Sequence, residues 1–411
     1  MTQFNAQAQR GAPLGQREFV ALVASLMAMT ALGIDSMLPA LHAIASDLGV
    51  ADANDQQWVI AAFMFGFSMG QLIWGPLSDR YGRRPIFLAT LALGAATNAV
   101  AAFSQSFELL LAARLTSGLF VASSRVVTVA LVRDCYHGRR MAQVMSLAFM
   151  VFMIIPVIAP TIGTMILAVA PWRWIFWVLA GAAALTLLWV ATRLPETLAV
   201  EDRLPLSLTR LRRGAVFALT ERNSIGYTIA LSFVSAGLFG FINSIPQVLD
   251  EVFGEGDRLG LVFAAVASTM AAANLLNSRI VIRFGTRLIS HLALVGFIVF
   301  ACIHLAFAWS GAETIWSFVI VQAAMMGCFG LSTSNFGAMA MEEMGGIAGT
   351  ASSVQGFIGT AGGAIGGIAI GQAFDGTTIP LYSGFLIGGL CALGVVLIVE
   401  RGRLFRGRHQ P

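Results

Sequence analysis

Lysine is absent from this chain, and charged residues of any kind are scarce. Only 11% of the 411 residues are charged and 57% are hydrophobic, with a mean hydropathy of +0.79. An average soluble domain has about 25% charged residues. This composition excludes an ordinary soluble domain and places the chain among membrane proteins.

Several chemical motifs are absent as well. The four cysteines are scattered, without a CxxC or Cys/His spacing, which predicts free thiols and no metal site. No HExxH, GxSxG, paired-carboxylate or phosphate-binding loop occurs. The sequence therefore predicts neither an enzyme nor a bound cofactor, and ATP is excluded as the direct energy source.

Long apolar runs fill most of the chain. A membrane-spanning helix needs about 20 mainly apolar residues, and twelve segments qualify. They are 18–41, 57–77, 85–104, 109–132, 142–167, 174–193, 224–246, 259–281, 287–309, 314–334, 347–373 and 379–399. The predicted fold is an all-α membrane protein with twelve transmembrane helices.

The arginines are distributed unequally between the two sides of these spans. With the N-terminus inside, 21 of the 25 arginines lie in cytoplasmic segments, whereas the outer loops carry Arg173, Arg258 and ten acidic residues. By the positive-inside rule both ends of the chain are expected in the cytoplasm. The net charge of +4 thus reflects topology, and no nucleic-acid partner is expected.

The most specific pattern joins the second and third spans. It reads Gly75-Pro-Leu-Ser-Asp-Arg-Tyr-Gly-Arg-Arg-Pro85 and predicts a short, charged cytoplasmic turn. It resembles the signature of the major facilitator superfamily (MFS) at this place. Pro76, Leu77 and Ser78 narrow the resemblance to the Bcr/CflA-type drug–proton antiporters.

The resemblance implies two six-helix halves that rock about a site near the middle of the membrane. The expected division is an N-terminal bundle at 1–193, a cytoplasmic linker at 194–223 and a C-terminal bundle with a basic tail at 224–411. A faint internal repeat agrees with this division. Arg283-Phe-Gly-Thr-Arg287 corresponds to Arg80-Tyr-Gly-Arg-Arg84, with Ile282 in place of Asp79.

The resemblance also assigns a gating role to the charged turn. Asp79 is expected to accept hydrogen bonds at the start of the eleventh span, where a helix dipole favours an anion, and Arg83 to pair with Asp134. Alternatively, these charges only set topology. The gating candidates are Gly75, Asp79, Arg80, Gly82, Arg83, Arg84, Arg133 and Asp134.

Three ionisable residues other than histidine lie well within spans: Asp35, Arg114 and Arg125. A charge in a bilayer is costly, so each is a functional candidate. The two arginines are eleven residues apart, which places them on the same side of the fourth span, about 16 Å apart. Arg114 precedes Gly118 by four residues and matches the superfamily signature implicated in proton coupling. Arg125 departs from the subfamily pattern.

Asp35 lies in Asp-Ser-Met-Leu-Pro-Ala40, which resembles the subfamily pattern whose acid carries the proton. An apolar cavity favours a neutral carboxyl and a nearby arginine favours a charged one. A carboxyl between these influences can bind and release a proton. Asp35 and Arg114 are therefore the proton-coupling candidates; the alternative is a permanent Asp35–Arg114 ion pair that joins two helices.

The fifth span contains Pro156 and Pro160, followed by Gly163. It resembles the antiporter motif of exporters, with Ala159 and Thr164 in place of two glycines. Proline kinks a helix, and glycine permits close contact. This span favours antiport over uptake.

Glycines at 359, 363, 367 and 371 form a stripe along the eleventh span. Small residues let helices approach closely in lipid. The stripe is either a static packing seam or a sliding seam between the halves, with Gly66 and Gly70 as the opposing surface.

Together these patterns predict a proton-coupled antiporter that exports small amphipathic compounds by alternating access. The alternative is a proton-coupled transporter of one metabolite or nutrient. No cofactor is expected, because the proton gradient supplies the energy. The expected state is a monomer in the lipid bilayer of a bacterial inner membrane. The cavity candidates are Arg125, Phe63, Phe67, Phe149, Phe152, Phe233 and Phe241.

Overall fold

The computed structural model of the protein describes residues 14–136, 138–203 and 205–405, and these form helices and loops without a β-strand. The α-helices are α1 Gln16–Asp35, α2 Leu41–Asp47, α3 Trp58–Tyr81, α4 Arg83–Phe103, α5 Phe107–Cys135, α6 Gly138–Leu167, α7 Arg173–Arg193, α8 Leu208–Thr220, α9 Arg222–Gln247, α10 Leu259–Phe284, α11 Thr286–Ser310, α12 Ile315–Ala340, α13 Ala348–Gln372 and α14 Ile379–Val399. Short 3₁₀ segments include Leu38–Ala40 and Ala53–Gln57.

The all-helical membrane fold is confirmed. Within the described residues, eleven helical segments are long and apolar enough to cross a bilayer. The remaining predicted span, 142–167, lies in α6, whose described apolar part is Ile154–Leu167. Helices satisfy their backbone hydrogen bonds internally, which lipid requires of any spanning segment.

The chain forms two compact units. Within the described residues, one takes in the residues up to Ala43 together with Ala62–Leu208, and the other takes in Ile44–Ala61 together with the residues from Thr209 to 405. The core of the first unit includes Phe19, Phe87 and Leu131, all fully buried. The predicted linker 194–223 contains a helix, α8, which belongs mostly to the second unit.

A single glycine joins consecutive helices at the same place in each half. Gly82 separates α3 from α4 with φ 104°, and Gly285 separates α10 from α11 with φ 78°. Residues with a Cβ rarely adopt such a φ. The two joints fall in the two copies of the sequence repeat, so the repeat is present in the backbone as well.

The glycine stripe of α13 packs against α9. A Cβ at Gly363 would lie 2.8 Å from the Phe239 ring, and a Cβ at Gly367 would lie 2.5 Å from Phe239 Cβ. Gly66 and Gly70 lie instead against the backbone of α5, where a Cβ would meet the carbonyl oxygens of Leu115 and Leu119 at 1.8 and 2.4 Å. Each glycine set thus serves packing within its own unit.

Candidate functional site

Asp35 is the last residue of α1 and is 5% exposed. The helix ends there because Pro39, in the 3₁₀ segment that follows, cannot continue its hydrogen bonding. Ser36 closes the end by donating from its hydroxyl to the Leu32 carbonyl at 2.6 Å. Among the described residues, no ion pair or side-chain hydrogen bond involves the Asp35 carboxyl.

Arg114 is fully buried beside α1. Its Nη2 donates to the Gly33 carbonyl at 2.8 Å, and its guanidinium lies 4.4 Å from the centre of the Phe63 ring and 5.9 Å from that of Phe176. The arginine is therefore held by the backbone two residues before Asp35 and by aromatic rings. Arg114 thus binds the chain two residues before Asp35, and no ion pair between the two is found among the described residues. Their role in proton coupling stays a prediction.

Gly163 also reaches this place. A Cβ on Gly163 would lie 2.0 Å from the Ser36 carbonyl oxygen and 2.9 Å from Pro39 Cγ. The glycine thus lets α6 contact the break in α1 directly after Asp35. Pro156 and Pro160 lie inside α6, which continues through both. The antiporter motif and Asp35 are separate features of the sequence, and the fold brings them into contact through Ser36.

A small cavity lies next to this cluster, inside the first unit. It has a volume of about 20 Å³ and is lined by Gly33, Phe63, Thr90, Asn98 and Ser117, among others. Ligand pockets for drug-sized molecules occupy about 300–1,000 Å³, whereas one water needs about 10–15 Å³. The cavity is thus of a size for water and not for an amphipathic substrate.

Arg125 lies on the same side of α5 as Arg114, because the helix is continuous through both residues. The surroundings of the two arginines differ. Arg125 is exposed, and no ion pair of a described residue includes it. Arg114 is thus built into the bundle, whereas the Arg125 side chain is exposed.

The aromatic cavity candidates are placed in different ways. Phe63 and Phe67 are buried and stack with centroids 6.4 Å apart, and Phe241 is buried against Phe263 at 5.7 Å. Phe233 is 37% exposed. The side chains of Phe149 and Phe152 lie outside the described residues.

The charged turn is organised around Arg83, which is 2% exposed. Its Nε donates to Asp134 at 2.8 Å, and its Nη1 donates to Asp79 at 2.6 Å and to the Ser78 hydroxyl at 2.8 Å. The expected Arg83–Asp134 pair is therefore present. The two carboxylates offset the cost of burying the Arg83 guanidinium. The contact expected of Asp79 with the start of the eleventh span stays a prediction.

The other members of the gating set occupy the edge of this cluster. Arg80 and Arg133 are exposed. Arg84 donates from Nη2 to the Ala191 carbonyl at 2.7 Å, and the Gly75 carbonyl accepts from the Ser78 hydroxyl at 2.9 Å.

Glu196, which was not among the residues predicted from the sequence, completes the Arg83 cluster. Its carboxylate accepts from the backbone N–H of Arg83 at 2.9 Å and of Arg84 at 3.3 Å, so it caps the first turn of α4. A Cβ on Gly82 would lie 2.2 Å from Glu196 Oε2, which is a second reason for glycine there. The available signal is Leu194-Pro-Glu-Thr197, which by itself indicates only the end of the first half.

The second unit has a corresponding cluster around Arg287. Its Nε donates to Glu400 at 2.8 Å and its Nη2 to Glu342 at 3.0 Å, while the Tyr227 hydroxyl donates to Glu400 at 2.5 Å. Burial raises the pKa of the Glu400 carboxyl, but the hydrogen bonds from Tyr227 and Arg287 outweigh it and hold that pKa below its usual value. Arg287 lies in the second copy of the internal repeat, 283–287. Both copies therefore place a buried arginine among acidic residues.

Comparisons with known proteins agree with this architecture. The sequence pattern of the Major Facilitator Superfamily matches residues 22–367. The Bicyclomycin resistance protein homolog of Haemophilus influenzae (strain ATCC 51907 / DSM 11121 / KW20 / Rd) is 32% identical over 92% of this chain and 94% of its own. The Multidrug resistance protein MdtL of Escherichia coli O157:H7 is 29% identical over 56% of this chain and 58% of its own.

A solved structure shares the fold. The human organic anion transporter MFSD10 aligns with a TM-score of 0.67 over 94% of this chain and 100% of that chain, at 19% identity. The family match includes the charged turn, the buried Arg114 and the antiporter motif. The chain belongs to the Major Facilitator Superfamily, whose members are transporters rather than enzymes.

Proposed function

We propose that this protein is a proton-coupled antiporter that exports small amphipathic compounds. The observation that carries the proposal is Asp35, a buried carboxyl without an ion-pair partner among the described residues, beside the fully buried Arg114. The names of two relatives, a bicyclomycin resistance protein homolog and a multidrug resistance protein, support drug-like substrates.

In the proposed mechanism Asp35 binds a proton in one conformation and releases it in the other. Arg114 keeps a fixed positive charge beside it, because arginine stays protonated in proteins. Gly163 places α6 against the end of α1, so a change at Asp35 is passed to α6. The contacts of Arg83 with Asp79 and Asp134 keep the charged turn in place while the two halves change conformation.

The proposed setting is a bacterial inner membrane, with both ends of the chain in the cytoplasm and the protein acting as a monomer. The arginine-rich segments on one side of the spans support this orientation. The proposed driving force is the proton gradient, with no bound cofactor.

The test is transport of a compound panel in sealed proteoliposomes with an imposed pH gradient. Wild-type protein is expected to drive export that stops when the gradient is collapsed. Asp35→Asn is expected to abolish gradient-driven export while exchange down a substrate gradient persists, because the neutral side chain mimics the protonated acid. The matched control is Asp257→Asn, which neutralises an exposed acid in the 3₁₀ turn before α10.

Gradient-driven export by Asp35→Asn at the wild-type rate would contradict the coupling role. Concentration of a single metabolite in the direction of proton flow would favour the nutrient transporter instead.

A further inference from the structure

Helix α8 follows the first six-helix half along the chain. One of its sides packs against other residues, and the opposite side is exposed. Gly214 and Ala218 are buried four residues apart. A Cβ at Gly214 would lie 3.1 Å from Thr350, and Ala218 packs with Met344 and Ala351. One side of α8 is therefore fixed to the start of α13.

The exposed side carries large apolar residues. Val216 is 50% exposed, Phe217 48% and Leu219 44%. Arg212 and Arg213 are exposed one turn earlier. The exposed side is thus basic in its first half and apolar in its second half.

The charge of this segment is of one sign. From Arg203 to Thr220 the sequence has four arginines and no acid. Neither Arg212 nor Arg213 forms an ion pair with a residue that the structure describes. The partner of this side is therefore expected to be an anion.

The position of α8 indicates which anion. Only Glu221 separates α8 from α9, whose first residue, Arg222, opens a candidate membrane span. Glu221 caps α9 by accepting from the Ser224 N–H at 2.6 Å. At about 1.5 Å per residue, Phe217 lies roughly 4.5 Å along α8 from its last residue, Thr220, and that span begins two residues later.

We propose that the exposed side of α8 lies on the bilayer surface and binds anionic phospholipid headgroups. Val216, Phe217 and Leu219 enter the boundary between headgroups and acyl chains, and Arg212 and Arg213 contact lipid phosphates. Helices that present large apolar residues and arginines to a bilayer bind its interface, more strongly where the lipids are anionic. The binding does not depend on what is transported.

The test uses the full chain in nanodiscs, where both membrane faces are accessible. Val216→Cys, in a background without the four native cysteines, is labelled with a water-soluble maleimide in phosphatidylcholine and in phosphatidylcholine with phosphatidylglycerol. An arginine near an anionic surface strengthens membrane binding about fivefold. Because membrane contact shields the cysteine, two arginines are expected to slow maleimide labelling by up to roughly 25-fold in the anionic discs.

Arg212→Gln with Arg213→Gln is expected to remove the lipid dependence. The matched control, Arg401→Gln with Arg403→Gln, also removes two exposed arginines and is expected to retain it. Equal labelling rates in the two lipids, or a lipid dependence that survives the α8 double variant, would overturn the proposal.

Hydrogen exchange of α8 in the unaltered protein provides a second measurement if the cysteine-free background does not fold. Slower exchange in the anionic discs supports the lipid contact, and identical exchange in both overturns it.

Discussion

Gly163→Ala tests the contact between α6 and the end of α1. The added Cβ would lie 2.0 Å from the Ser36 carbonyl oxygen, which is backbone and has no rotamer to change. The two segments must therefore separate by about 1 Å to reach the usual contact limit near 3.0 Å. Overpacking of this kind costs about 1–3 kcal/mol.

A matched substitution removes helix propensity from the comparison. Gly181, in α7, has no atom within 4 Å of the place where a Cβ would lie, so Gly181→Ala adds the same methyl group to open space. Both variants gain about 1 kcal/mol of helix propensity. The difference in stability between them is then the packing cost, about 1–3 kcal/mol.

The assay is thermal unfolding of the two purified variants in one detergent, followed by transport at equal amounts of folded protein. Gly163→Ala is expected to unfold at a lower temperature than Gly181→Ala. It is also expected to transport less well, because the shift occurs at the residue after Asp35. Equal stability and equal transport would refute the close approach and its link to Asp35.

Three further predictions concern charged groups. Glu196→Ala is expected to destabilise the protein by about 1–2 kcal/mol in thermal unfolding, because the cap of α4 is lost, whereas Glu201→Ala, at an exposed linker acid, is expected to change it by less than about 0.5 kcal/mol; equal effects would contradict the cap. Arg125→Ala is expected to increase efflux of a dicationic dye relative to a neutral antibiotic, because the fixed positive charge of the arginine repels the dication. Robust dication efflux in the wild type that stays the same in Arg125→Ala would contradict this. Glu400 is expected to stabilise the protein relative to Glu400→Gln, fully so above the ordinary carboxyl pKa of 4.5. This stabilisation is expected to be lost as the pH falls below that value, because the pKa of Glu400 is lowered in the folded protein. A stability difference that is constant with pH would contradict this prediction.

The spans and the charged turn were predictable because lipid imposes helix length and because the turn is a local pattern. The Arg83–Asp134 pair was predictable only through resemblance, since the two residues are 51 positions apart. Glu196 is 113 residues from Arg83, and no periodicity connects a carboxylate after one helix with the first turn of another. Only the folded bundle brings them together.

Two other features depend on tertiary packing. The prolines and arginines of the segment that contains α8 indicate a polar connection and do not predict a helix. The helix is fixed by Ala218 against Met344, a contact that the local sequence does not encode. Likewise, Gly163 meets Ser36 because Pro39 ends α1 where α6 passes, and neither motif alone predicts the other.

Each buried arginine cluster is complete within one continuous length of chain. Among the described residues, the Arg83 cluster draws only on those from Ser78 to Leu198, and the Arg287 cluster only on those from Tyr227 to Glu400. A chain break or an inserted domain between Ala199 and Ser207 would leave both clusters with all their partners. This segment is therefore the natural place to divide the transporter into two co-expressed polypeptides.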